Sequence, residues 1–182
     1  MKFTHVGYFP RRTLKYPQGF PPQVREICSV STCLSEDPDG WIERWQHNDL
    51  FFYDTPELAW SIVPEANRRE YDLYSYFLPP VLYEKGHEKP LDIPPLRVVP
   101  LVGSWERLGF DVVSRHFSAT FECSALSCNG MAERVSVNPY CLMEDLDAAR
   151  RLAETCEAAG CEPGPYFIIE LWRAIGQARA ES

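Results

Sequence analysis

"PYFIIELWR", Pro165 to Arg173, is the stretch on which the fold turns, because only Glu170 interrupts an otherwise apolar run from Tyr166 to Trp172. Successive strand residues point to opposite faces, so a strand apolar at both parities is covered on both sides and sits centrally in a sheet. Just upstream, Leu142, Leu146, Ala149, Ala153 and Cys156 keep the 4-3-4-3 spacing of a helix's buried stripe. A helix is therefore expected over about 145–159, with Asp145 as its N-cap. Gly160 stands where a left-handed terminating residue belongs, and that ending places Cys161 against Cys156. Before it, Leu96–Val102, Phe110–Ser114, Ala119–Cys123 and Val135–Val137 read as strands, and Ser104–Gly109 as a helical turn.

The first half has a similar layout. "LFFYDTPELAWSIV" (Leu50–Val63) and "YCLMEDLDAARRLA" (Tyr140–Ala153) both run from strand-like residues into a capping residue and a helix. In the first, Thr55 caps and Pro56 opens a helix over about 55–63. Lys2–Phe9 and Val24–Leu34 read as strands and Trp41–His47 as a short helix. Tyr71–Tyr83 is strand-prone but broken by Pro79-Pro80. Prolines at 79, 80, 90, 94, 95 and 100 make 78–100 an irregular connection, since proline cannot donate to a central ladder. The expected fold is a single α+β domain over 1–182: a mixed or mostly antiparallel sheet with the helices at 55–63 and 145–159 packed on one face.

A chain of 182 residues buries roughly 70% of its unfolded surface, so it needs no covalent staples. Eighteen basic against 26 acidic residues give a net charge of −8, which repels phosphate backbones and disfavours nucleic acid as a partner. Lys2, Arg11, Arg12, Lys15 and Arg25 all precede the first acid, Glu26, and read as a solvated basic arm. The start of the chain has no apolar run followed by small residues, which predicts no signal peptide. No stretch approaches ~18 consecutive apolar residues, which predicts no membrane helix and a cytoplasmic location. Seven cysteines, an odd number, are then expected as thiols or metal ligands rather than a disulfide framework.

Three cysteine pairs share one spacing: Cys28/Cys33, Cys123/Cys128 and Cys156/Cys161. The third is accounted for by the helix cap. The first two read Cys-Ser-x-x-x-Cys. On a helix their thiols would point about 140° apart, and on a strand to opposite faces. Either pair converges only where the chain bends, and Asn129-Gly130 signals a bend after the second. The residues allow buried structural thiols, or a four-thiolate zinc or iron site built from Cys28, Cys33, Cys123 and Cys128. They also allow a reactive Cys128 ahead of a short helix at Met131, with His116 the nearest candidate base. Asp111 and Glu170 interrupt apolar strands, as acid/base candidates or as partners of Arg115 or Arg173. There is no GxGxxG, phosphate loop, HExxH or nucleophile elbow.

From Leu108 onward the chain carries Leu-Gly-Phe-Asp-Val, then Ser-Ala-Leu-Ser, Asn138, an Ala-bearing helix and a strand ending Leu-Trp-Arg. Over about the last 70 residues this resembles small bacterial proteins, some uncharacterised and some of the immunity type paired with toxins. The resemblance implies protein–protein binding, and no functional residue carries over from it. With the acidic charge, which suits a basic protein partner, it points to a non-catalytic binding domain. The binding residues would be Trp41, Trp45, Phe51, Phe52 and Tyr53, provided these share an exposed patch. The rival is a metal- or thiol-dependent enzyme centred on Cys123 and Cys128.

Overall fold

The structure is a computed structural model that describes residues 2–31, 33–41, 46–115 and 120–176. Along the chain come β1 (Thr4–Lys15), β2 (Glu26–Ile27), β3 (Ser35–Glu36), α1 (Pro56–Ser61), β4 (Asp72–Leu78), β5 (Val81–Glu84), β6 (His87–Pro90), β7 (Trp105–Ser114), α2 (Leu146–Thr155) and β8 (Tyr166–Ala174). The strands join in one open sheet, antiparallel at every pairing.

β8 is its centre. β7 runs along one side, from Trp105 opposite Ala174 to Ser114 opposite Tyr166. β4 and β5, two pieces of chain separated at Pro79-Pro80, share the other side. Tyr166, Ile168, Ile169 and Leu171 are each at most 1% exposed, which is what apolar residues at both parities require. β1 continues straight through Pro10, where a break was expected. Tyr8 donates its N–H to Tyr53, away from β4, so the proline two residues on lacks only an N–H on that outer side.

The two helices are shorter than the sequence suggests, and among the described residues the sheet dominates. Thr55 Oγ1 accepts from Leu58 N–H, and Asp145 accepts from Asp147 and Ala148 N–H. α2 ends at Thr155, after which turns lead to Gly160 (φ +84°) and the Cys161 N–H returns to the Cys156 carbonyl. Ala149, Leu152 and Ala153 share a buried cluster with Val112, Tyr166 and Ile168, and Ala59 joins another with Tyr8 and Leu73.

Several local expectations change. Among the described residues of Val24–Leu34, only Glu26–Ile27 is strand. Ser104–Gly109 belongs to β7, not to a helical turn, with a bulge between Arg107 and Gly109. Within 78–100, β5 and β6 form a hairpin because Lys85 and Gly86 both take positive φ, the turn that matches strand twist. Leu96–Val102 and Val135–Val137 carry no strand, and residues 120–123 form a loop. Of the expected Trp41–His47 helix, residues 42–45 lie outside the described residues, and Gln46 and His47 are not helical. Most of the basic arm is neutralised in place: Arg11 meets Asp37 at 3.2 Å, Arg12 meets Glu36 and Glu70, and Lys15 meets Glu26 and Asp72.

The layout shared by the two strand-to-helix modules extends into the backbone. Gly7 and Gly109 have φ +137° and +138°, each beside a strand irregularity. Asn48 Oδ1 accepts from Leu50 and Phe52 N–H while its amide donates to Val6. Asn138 does the same with Tyr140, Leu142 and Leu108. Tyr8 bridges Tyr53 as Phe110 bridges Met143.

Candidate metal centre

The second residue of both Cys-Ser-x-x-x-Cys segments organises the site. Ser29 Oγ donates to Asp111 Oδ2 at 2.5 Å and Ser124 Oγ to Asp111 Oδ1 at 2.6 Å. The register of β7 on β8 pairs Asp111 with Ile169, and the Asp111 carboxylate has no exposure to solvent. It also accepts from the Val112 and Val30 amides. Burial pushes its pKa up, and these hydrogen bonds oppose the shift. Sealed from solvent and held by these donors, Asp111 ties two loops together.

Each serine also folds its own loop. Ser29 Oγ accepts from Ser31 N–H at 3.0 Å, and Ser31 Oγ accepts from Cys33 N–H at 3.2 Å. Ser124 Oγ accepts from Leu126 and Ser127 N–H, and its carbonyl accepts from Cys128 and Asn129 N–H. These side-chain turns bend both segments away from regular helix or strand. The Sγ atoms of Cys33, Cys123 and Cys128 come together within 4.8 Å of one another. Cys33 and Cys123 sulfurs stand 3.4 Å apart, and Cys128 Sγ lies 3.4 Å from Ser31 Oγ. Cys33 is exposed and the other two are half-buried.

Cys28 is not part of this group. It is 1% exposed, its sulfur lies 3.7 Å from the Tyr74 hydroxyl, and burial raises its pKa well above the ordinary range. The expected four-thiolate set is thus reduced to three. Burial acts to raise Cys33 as well, but hydrogen bonds from Ser31, Cys128 and Cys123 outweigh it and hold this thiol below its ordinary value. Burial, reinforced by the neighbouring Cys33, pushes Cys123 up to about 12. Burial is also the largest influence on Cys128, which is pushed up to about 11. Where a short helix was expected after Cys128, Met131–Glu133 makes a single 3-10 turn following Gly130.

The other candidates lie elsewhere. Glu170 accepts from Arg107 Nε at 2.6 Å, not from Arg115 or Arg173, and strand alternation places it on the face opposite Asp111. His116 and Trp45 lie outside the described residues. Phe52 and Tyr53 are core residues, 2% and 0% exposed, with Phe52 stacked on Tyr76. Trp41 and Phe51 are half-buried, Trp41 edge-on to Phe9 and Phe51 stacked on His47. The condition of a shared exposed aromatic patch is not met.

Three thiolates fit a soft cation. Zinc–sulfur bonds of about 2.3 Å in a tetrahedron set ligand sulfurs about 3.8 Å apart, close to the spacing already present. A bound cation would deprotonate coordinating thiols outright. Among the described residues no helix is long and apolar enough to cross a membrane. Comparison with known proteins finds no matching family, curated protein or solved structure.

Proposed function

We propose that this protein is a metal-binding domain in which the thiolates of Cys33, Cys123 and Cys128 hold one soft divalent cation, zinc foremost. The carrying observation is that three sulfurs from two loops about ninety positions apart converge within 4.8 Å at the surface. Thiolate ligands select zinc or iron over hard cations, and three protein ligands leave a fourth position for water or an incoming ligand. Asp111, through Ser29 and Ser124, fixes the two loops that carry the ligands, and the hydroxyls of Ser31 and Ser127 lie against the Cys128 sulfur. Protein binding through the Trp41–Tyr53 aromatics lacks the surface it requires, because Phe52 and Tyr53 belong to the core.

The test is metal analysis of protein purified without an affinity tag from zinc-supplemented medium. About one equivalent of zinc is expected, retained in Cys28→Ser and lost in Cys123→Ser. Metal-free wild type that takes up no zinc on titration would refute the proposal.

A further inference from the structure

A metal is not the only chemistry open to this cluster. Cys33 and Cys123 sulfurs stand 3.4 Å apart, in direct contact, and Cys33 is exposed to incoming reagents. A disulfide needs about 2.05 Å between sulfurs, so closure asks each side chain to shift by well under an ångström. Cys33 lies on a loop held by serine hydroxyls and not by a strand ladder, so such a shift breaks no sheet pairing. Cys128 is differently placed: its sulfur lies against the hydroxyls of Ser31 and Ser127.

We infer that Cys33 and Cys123 form a dithiol–disulfide couple that reacts with hydroperoxides, and that closing it excludes the metal. The couple itself stands on the sulfur geometry, whereas the exclusion rests on the proposed metal site. In the reaction the Cys33 thiolate attacks one peroxide oxygen, the O–O bond breaks, and the departing oxygen leaves as water (or alcohol) after taking a proton. Cys33 is now a sulfenic acid. Cys123 attacks that sulfur, the S–O bond breaks, and the departing hydroxide takes the Cys123 thiol proton and leaves as water as the S–S bond forms. Two thiols lose two electrons and the peroxide gains them. A metal held by both sulfurs ties up their lone pairs and blocks the first attack. The disulfide in turn leaves Cys128 as the lone thiol of the site.

The experiment uses the full chain, chelator-treated or zinc-loaded, exposed to hydrogen peroxide, alkylated under denaturing conditions and mapped by peptide mass spectrometry. In the metal-free protein the total thiol count should fall from seven to five, with Cys33 linked to Cys123. Zinc should slow that link at least tenfold. Cys128→Ser should still form it while failing to hold zinc, and Cys33→Ser, at an exposed position, should remain folded and form no link to Cys123. A different pairing, or over-oxidised Cys33 with no link, would overturn the couple even if zinc binds. A link that forms equally fast in zinc-loaded protein would overturn the exclusion. A link in protein that takes up no zinc would sink the metal site and leave the couple standing.

Discussion

Asp111 holds four donors around its two oxygens, the hydroxyls of Ser29 and Ser124 and the amides of Val112 and Val30, without solvent access. Removing it leaves those donors stranded in the interior, and each unmet buried partner of a charged group is costly. Asp111→Ala should lower stability by on the order of 3 kcal/mol in chemical denaturation. Ser29→Ala and Ser124→Ala should each cost less, since each removes one side of a shared arrangement. His5 gives a pH signature. Its Nε2 is 2.7 Å from Ser75 Oγ, its ring stacks on Phe77, and burial lowers its pKa from 6.5 to about 4, a backbone bond at Gly7 opposing the shift. Between those values the unfolded chain binds a proton that the folded protein does not, so stability falls as pH drops from about 6.5 to about 4 and levels off below. In His5→Asn this part of the slope should vanish, as read from melting temperature against pH. An unchanged slope would assign it to other groups. The sequence marks Asp111 as an odd acid in an apolar strand, but its two serines come from loops that the linear chain keeps far apart.

The paired elements are where sequence and structure agree best. The two capped helices were legible because Thr55-Pro56 and Asp145 carry short-range signals that do not depend on the rest of the fold. β8 was legible because its apolar residues occupy both parities. The 28–33 segment was not, for its apolar alternation mimics a strand while Ser29 and Ser31 fold it into turns. Nor was the bulge in β7, which one glycine sets. A Cβ on Gly109 would lie 2.7 Å from the Met143 carbonyl, at a φ of +138° that L residues avoid. Gly109→Ala should therefore cost at least about 2 kcal/mol, whereas Gly103→Ala, with nothing within 4 Å, should cost only the backbone strain of about 1 kcal/mol. Equal losses at the two positions, measured by denaturant midpoint, would contradict the close-approach explanation.

On the scale of the whole molecule, the candidate centre exists because the segment after β2 is drawn across to the second strand-to-helix module. Arg25 and Glu26 N–H bond to the Pro139 carbonyl and Cys28 N–H to that of Tyr140, which carries Ser29 over to Asp111 and Cys33 to Cys123. Spacing within each cysteine pair could not reveal this, because the three converging thiols take two from one pair and one from the other. The repeated serine after the first cysteine was the visible trace of the shared anchor, and its meaning emerges only when Asp111 stands between the two loops. X-ray absorption at the zinc edge of the zinc-loaded full chain tests the central proposal most directly. Three sulfur neighbours at about 2.3 Å with one lighter atom are predicted, and this three-sulfur shell should be lost in Cys33→Ser. A first shell of nitrogen and oxygen alone, or an unchanged shell in Cys33→Ser, would contradict it.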